Sequence, residues 1–268
     1  MSNLNTIGVE ESAQHLRVRS HHDERQPTLV YLPGLHGDWT LIGGFRKALR
    51  GRVRFMEVTY PRTLSWSLDD YAREIEIALN KQGITDGWLL GESYGSQVLW
   101  ALVQRRVFKT RGIVLAGGFA RHPMQWGVRL AERAAANVSL NLLTRFLFYY
   151  AHVARFRFRN SPDLKKDIEE FIRRRTDLDR LAAKHRLHLI AGNDFRPIAS
   201  NPGVPVYSIN GLIDPIVPWP WTRHWLKKHC ATLQEYKIIR AADHNVLGTA
   251  SQKSADIVVD WISRPPGL

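Results

Sequence analysis

Short apolar runs alternate along the chain with stretches in which apolar residues recur at helical spacing. The runs 28–32, 52–58, 86–91, 111–117, 204–210 and 234–240 have the length and flanking turn residues of strands. Between or after them, 66–82, 95–108, 219–229 and 249–263 carry the three-to-four-residue period of helices. Such alternation requires right-handed crossovers, and so predicts an α/β fold with a mostly parallel sheet, helices on both faces, and ligands at the C-terminal edge of the strands. A weaker extended signal from about Ala13 to Arg19 predicts an antiparallel strand or hairpin ahead of the first parallel strand, and residues 1–12 read as a loose tail.

The alternation breaks between about Phe119 and Pro202, where no strand pattern occurs. Two or three long helices are expected there, one or two within Met124 to Phe158 and one from Pro162 to about His188. Ser161-Pro162-Asp163 has the form of a helix start: serine at the N-cap, proline at the first helical position and an acid in the first turn. The chain thus divides into a core of residues 1–118 and 203–268 and a helical insertion of residues 119–202. At 268 residues it is long enough for one such core to bury its sheet on both faces.

Candidate chemistry lies at the ends of the predicted strands. Gly91-Glu92-Ser93-Tyr94-Gly95 follows the apolar run Gly87-Trp88-Leu89-Leu90 and opens a helical pattern, Ser96 to Leu102. A strand that turns straight into a helix forces its tip residue into a strained conformation, and glycines two residues before and after remove colliding Cβ atoms. Downstream, Asp214 follows the run Val204 to Gly211 in a loop that Pro215 and Pro218 keep out of helix, and His244 follows the run Gln234 to Arg240. A serine hydroxyl is a weak nucleophile at neutral pH, so it needs a general base such as His244, and the base needs an acid such as Asp214 to orient it and stabilise its charged form. Asp243, adjacent to His244, is poorly placed to reach Nδ1 of that ring and reads as a loop-former.

Serine, aspartate and histidine in that order, each at the C-terminal end of a parallel strand, resemble the α/β-hydrolase family from about residue 28 to 263. The resemblance implies a Ser93-Asp214-His244 triad, and it makes the insertion a helical cap placed before the strand that carries the triad acid. It implies two backbone oxyanion donors: the amide of Tyr94, directly after the nucleophile, and an amide in Pro33-Gly34-Leu35-His36-Gly37-Asp38. By resemblance the second donor is Leu35, and the His36-Gly37 pair leaves Asp38 as the alternative register. His36 itself reads as a loop residue near the mouth. The apolar run Leu140 to Tyr150 is where acyl or aromatic specificity would be sought, although most such side chains glue a cap to its core.

Charge adds one feature. The formal net charge is +13, and between Arg121 and Arg196 thirteen arginines and three lysines face eight acids. A basic rim would attract anionic substrates or an acidic carrier. Arg155, Arg157 and Arg159 alternate with Phe156 and Phe158, and Arg173, Arg174 and Arg175 follow an acidic turn with which they are expected to pair. No nucleic-acid-binding motif, glycine-rich nucleotide loop or metal-ligand spacing occurs, so neither nucleic acid, cofactor nor metal is expected. The single cysteine, Cys230, suits a reducing compartment, and without an apolar run of membrane length the expectation is a cytoplasmic protein. Together these features predict a serine carboxylesterase acting on a small ester or acyl substrate, anionic or carrier-bound. Thioesterase, methyl-esterase, acyltransferase or peptidase activity, or a non-catalytic ligand-binding role, stand as alternatives. Serine at the tip disfavours the family's haloalkane dehalogenase and epoxide hydrolase chemistry, which uses aspartate.

Overall fold

The computed structural model describes residues 15–21, 24–137 and 162–264. Its described strands form one seven-stranded sheet in the order β1-β3-β2-β4-β5-β6-β7. These are β1 (Arg17–His21), β2 (Thr28–Leu32), β3 (Arg54–Thr59), β4 (Asp86–Glu92), β5 (Lys109–Ala116), β6 (Val206–Gly211) and β7 (Leu233–Ile239). β1 runs antiparallel to β3, Arg17 facing Thr59 and His21 facing Phe55, and all other pairs are parallel.

The side-chain period of a strand explains why the central runs are apolar throughout: successive residues feed two different cores. Val30, Leu32, Met56, Val58, Leu89, Ile113 and Leu115 enter one. Their neighbours Leu29, Tyr31, Phe55, Leu90, Val114 and Ala116 enter the other. The first core is closed by α2 (Leu68–Asn80), α3 (Gly95–Arg105) and α8 (Trp219–His229), through residues such as Tyr71, Ile75, Val98, Leu102 and Leu226. The second is closed by α1 (Gly43–Ala48), α9 (Val246–Thr249) and α10 (Ser251–Ser263), through Phe45, Val246, Val258 and Trp261. Each fully buried aliphatic or aromatic side chain contributes about 1.5–3 kcal/mol.

Element ends depart from the sequence pattern where local chemistry intervenes. The helix expected over 66–82 starts at Leu68 because Ser67 caps it: Asp70 N–H donates to Ser67 Oγ at 3.1 Å, and Ser67 N–H donates to the Asp70 carboxylate at 2.9 Å. α3 stops at Arg105 because Arg106 turns left-handed, with φ 59°. The helix expected over 249–263 is α10, over Ser251–Ser263, and the short α9 over Val246–Thr249 lies ahead of it. A 3-10 turn over Thr40–Ile42 and the six-residue α1 were not expected; Gly43-Gly44 opens α1, and glycine weakens the helical signal. Trp221 of α8 is 60% exposed.

The insertion between β5 and β6 contains α4 (Gln125–Asn137), α5 (Pro162–Arg173), α6 (Asp177–Gly192) and α7 (Arg196–Ser200) among the described residues. The single helix expected from Pro162 to about His188 is two. Thr176 starts a new helix with its own capping box, in which Thr176 N–H donates to the Asp179 carboxylate at 2.8 Å and Asp179 N–H to Thr176 Oγ1 at 3.4 Å. Of the basic triplet, Arg174 pairs with Glu170 at 3.1 Å, as expected, whereas Arg175 turns to Asp38 of the core. α4 packs along α6, and α5 rests on the 40–48 segment, where Phe171 and Ile172 meet Leu41. The tail 1–12, the run Leu140 to Tyr150, the Arg155-Arg157-Arg159 stretch and the Ser161 cap lie outside the described residues.

Replacing Ser67 by alanine removes the α2 cap and is expected to cost about 1 kcal/mol of stability. Urea denaturation would register it as a lower midpoint at unchanged slope.

Candidate active site

β4 passes into α3 through two residues, Ser93 and Tyr94, and Ser93 is held at φ 51°, a left-handed conformation that costs a non-glycine residue about 1–3 kcal/mol. Its surroundings enforce it. A Cβ on Gly91 would lie 2.8 Å from Ser96 Cα, and one on Gly95 only 2.1 Å from Leu32 O, so both flanking positions require glycine. Ser93 N–H donates to Ala116 O at 3.0 Å, and Ser96 N–H and Oγ both reach Ser93 O, at 3.0 and 2.6 Å. The serine side chain is thereby lifted above the strand ends at the N-terminus of α3.

The acid stands in the loop after β6. Asp214 Oδ1 accepts from the N–H groups of Ile216 and Val217 at 2.8 and 2.9 Å, a turn closed by the side chain's own carboxylate. That leaves Oδ2 for His244, whose Nδ1–H donates to it at 2.7 Å; the Asp214 side chain is fully buried. His244 enters from the loop after β7, which closes tightly on the end of β6: a Cβ on Gly211 would lie 2.1 Å from Asp243 O. Gly117, at φ 58°, leaves room for the imidazole, since a Cβ there would come within 3.3 Å of Nδ1. The ring's other nitrogen, Nε2, accepts from Ser93 Oγ at 2.9 Å. Three residues separated by 121 and 30 positions in sequence thus share one continuous line of hydrogen bonds, the geometry that proton transfer from a serine hydroxyl requires. Asp243 stays out of it, accepting from Asn245 N–H at 3.0 Å.

Two opposing effects set the basicity of His244. Burial alone lowers its pKa, but the hydrogen bond and charge of Asp214, helped by Glu92 and Asp243, more than offset this, and the ring lies above the ordinary histidine range. Glu92, also buried, is pushed above the usual carboxylate range by desolvation, against a hydrogen bond from Tyr31 Oη at 2.5 Å.

Of the expected oxyanion donors, Tyr94 is the N-cap of α3, where the first amides have no acceptor within the helix, and its ring is buried against Tyr60 and Tyr71. On the facing loop, Gly37 N–H donates to Gly34 O at 3.0 Å and closes a turn around Leu35 and His36. A Cβ on Gly34 would contact Ser93 Cβ at 3.6 Å, so Gly34, directly before Leu35, borders the serine. Asp38 lies past the turn, with its carboxylate accepting from Thr40 N–H at 2.9 Å and from Arg175. His36 is exposed and its ring stands edge-on to Phe171.

Several residues around the site were not identified from sequence. His122 accepts from Met124 N–H at Nδ1, at 3.1 Å, which fixes the proton on Nε2 for donation to Ile216 O at 3.2 Å and ties the start of the insertion to the acid loop. Burial lowers its pKa, consistent with that neutral tautomer. Tyr31 belongs to β2, and its partner Glu92 is 61 residues away. Arg186, on α6, is fully buried and donates to Leu35 O at 2.8 Å. Apart from His122 to Met124, these contacts are long-range in sequence, and no local pattern marks them. Among the described residues no group of three His, Cys, Asp or Glu side chains could hold a metal ion, and no helix is long and apolar enough to cross a membrane.

The fold, with a serine at the tip between β4 and α3, defines a family, and residues 54–250 match its sequence model, described as the alpha/beta hydrolase fold. The chain belongs to the α/β-hydrolase family. No curated protein matches the sequence. Among solved structures, an enol-lactonase from Burkholderia xenovorans superposes with TM-score 0.74 at 19% identity over 93% of this chain and 96% of its own. An esterase from Exiguobacterium antarcticum gives TM-score 0.74 at 13% identity over 93% of this chain and 96% of its own. A thermophilic esterase from Thermogutta terrifontis, solved with malate bound, gives 0.72 at 18% identity over 92% of each chain. At these identities the likeness is one of fold.

Tyr31→Phe leaves the buried Glu92 carboxyl without the donor that partly offsets its desolvation. At neutral pH it is expected to cost about 1–3 kcal/mol in chemical denaturation. The pKa of Glu92 rises further in the variant, so the deficit should shrink as the pH falls far enough to protonate Glu92 in both proteins.

Proposed function

We propose that the protein is a serine hydrolase that cleaves a carboxylic ester through an acyl-enzyme intermediate, with Ser93 as nucleophile, His244 as general base and acid, and Asp214 as the orienting acid. The observation that carries this reading is the hydrogen-bonded line from Asp214 through His244 to Ser93 Oγ, at 2.7 and 2.9 Å. Ser93 Oγ attacks the ester carbonyl while its proton passes to His244 Nε2. The amides of Leu35 and Tyr94 hold the oxyanion, an arrangement in which each donor is worth about 10²–10³-fold in rate. Collapse of the tetrahedral intermediate breaks the bond to the alcohol oxygen, which leaves with the proton from His244. Water, deprotonated by the same nitrogen, then releases the acid and regenerates Ser93.

Residues 119–202 form a cap in this reading, covering the serine and shaping the acyl pocket over the core of 1–118 and 203–268. No cofactor is needed. The single cysteine, Cys230, which is buried, fits a cytoplasmic setting. The esterases among the structural neighbours favour oxygen esters over the other bonds this chemistry can cut. The net charge of +13 favours one narrower version, a thioester or methyl ester on an anionic acyl carrier.

Hydrolysis of p-nitrophenyl esters from acetate to palmitate, with fluorophosphonate labelling, tests the reading. Wild type is expected to label and turn over, and Ser93→Ala to lose labelling altogether and at least about 10³-fold in kcat. A wild type inert in both assays would point instead to ligand binding without catalysis. If the substrate rides on an acidic carrier, kcat/KM for that substrate should fall steeply with added salt while small esters are unaffected.

The pH profile provides a further check. The base must be unprotonated to accept the serine proton, so kcat/KM should rise with pH through the His244 pKa, with a midpoint above the ordinary value of about 6.5. Asp214→Asn removes the charge that raises this pKa, and should move the acid limb to lower pH while cutting kcat by about 10³–10⁴-fold.

A further inference from the structure

We infer that Arg186 is a positioning residue for the oxyanion loop, holding Leu35 so that its amide is presented to the reacting carbonyl. This rests on the role proposed above for Leu35 and extends the site into the insertion.

Arg186 projects from α6, is 1% exposed, and has no carboxylate partner among the described residues. An isolated buried guanidinium is unfavourable unless its N–H groups are well used. Two of them are used on the core. Nη1–H donates to Leu35 O at 2.8 Å and Nη2–H to Pro61 O at 2.9 Å, so one planar fork bridges the loops that follow β2 and β3. The remaining Nε–H is buried with no hydrogen-bond partner among the described residues. The loop is shaped around the group: a Cβ on Gly37, itself at φ 77°, would lie 2.6 Å from Nη1.

The consequence for Leu35 follows from peptide planarity. In a trans peptide the C=O and the N–H point in opposite directions. Gly34 O is taken by Gly37 N–H within the turn, so the N–H of Leu35 on that same peptide unit points out of the turn. The next peptide unit, which carries Leu35 O, is fixed by Arg186. Both units flanking the Leu35 Cα are therefore held, one from within the loop and one from α6. Arg175, at the head of α6, secures the far side of the same loop through Asp38. Without Arg186, rotation of the second unit loosens the turn and lets the amide leave its position, a loss felt in the transition state, where charge develops on the oxygen, and little in substrate binding.

A structural cross-link alone would behave differently, and a neighbouring contact provides the control. Arg62 pairs with Asp179 at 2.6 Å, joining the same helix to the core without touching the 34–37 turn. The experiment compares wild type, Arg186→Gln, Arg186→Lys and Arg62→Gln by kcat and KM on a p-nitrophenyl ester, thermal midpoint, and inhibition by an alkyl trifluoromethyl ketone. The ketone adds Ser93 Oγ to its carbonyl carbon, with the serine proton passing to His244, and the resulting hemiketal oxyanion occupies the hole.

Arg186→Gln is expected to lower kcat about 10–100-fold with KM within about 3-fold, and to weaken trifluoromethyl ketone binding by a factor similar to the loss in kcat. Arg186→Lys, able to satisfy one carbonyl but not both, should fall between; it carries the test if the glutamine variant does not fold. Arg62→Gln should lower the thermal midpoint yet retain kcat. The inference is overturned if the Arg186 variants keep wild-type kcat, if their loss lies in KM alone, or if Arg62→Gln loses kcat in the same proportion to its midpoint. Each of these outcomes leaves the hydrolase reading standing, because wild type is active in all of them. A wild type that neither labels nor hydrolyses esters would instead remove the reading on which the inference rests.

Discussion

The left-handed backbone of Ser93 is the constraint on which the rest of the site is arranged. A strand in the middle of a sheet can pass into a helix through so short a turn, here Ser93 and Tyr94, only if the incoming strand, the outgoing helix and the neighbouring strand approach without intervening side chains. Gly91, Gly95 and the carbonyl of Leu32 supply that approach, with a hypothetical Cβ on Gly95 blocked at 2.1 Å. The strain, about 1–3 kcal/mol, is balanced by the surroundings: Ser93 N–H is satisfied by Ala116 of β5, and its carbonyl by Ser96, whose Oγ also accepts from Phe119 N–H at 3.0 Å. The tip is thus tied to β2, β5 and the start of the insertion at once. A side chain on so fixed a backbone needs little reorganisation to meet a partner.

The partners arrive by similar means. Asp214 binds its own loop through two amides before it meets His244, so the acid is oriented independently of the base. His244 reaches across to Ser93 because Gly211 and Gly117 let the histidine loop settle onto the strand ends. Glu92, beside the nucleophile, is a second buried carboxyl with a contrasting environment: one hydrogen bond from Tyr31 and strong desolvation, against three donors for Asp214. Its proximity helps to keep the imidazole basic. The sheet therefore does more than hold the loops apart, since Tyr31 of β2 and Glu92 of β4 place a buried hydrogen-bonded pair next to Ser93.

Much of this was legible in the sequence, for reasons visible at particular residues. The Gly-x-Ser-x-Gly context works because part of the steric demand of the turn is local: a side chain at 91 would collide with Ser96 and Gly95, although one at 95 would collide with Leu32 and Pro33 at the end of a strand distant in sequence. Asp214 and His244 could be found because strand ends are marked by changes in periodicity and by proline. The insertion was less legible. The break between α5 and α6 is written locally in Thr176 and Asp179, but the strong helical pattern on either side masks it. Arg175 illustrates a second limit. As a neighbour of acidic residues it was expected to pair within its own segment, yet its partner Asp38 is 137 positions away. Long-range polar contacts such as Tyr31 to Glu92 and Arg186 to Leu35 leave no periodic trace, because each depends on one side chain and one turn.

Among the described residues, several polar contacts join the insertion to the core. His122 binds the carbonyl of Ile216 in the loop after β6, Asp167 accepts from Gly43 N–H at the head of α1, Arg175 and Arg186 grip the two sides of the loop after β2, and His185 lies 2.8 Å from Trp66 O. Moving α5 and α6 off the core would break the bonds of Asp167, Arg175, His185 and Arg186 together and expose the Arg186 guanidinium. The exposed apolar side chains Leu212, Ile213 and Ile216 lie in the loop that carries Asp214, while the contacts of Arg175 and Arg186 fall on the loop after β2. Under the hydrolase reading proposed above, that division would give acyl transfer fixed donors where charge develops and apolar surface where an acyl chain or alcohol comes and goes.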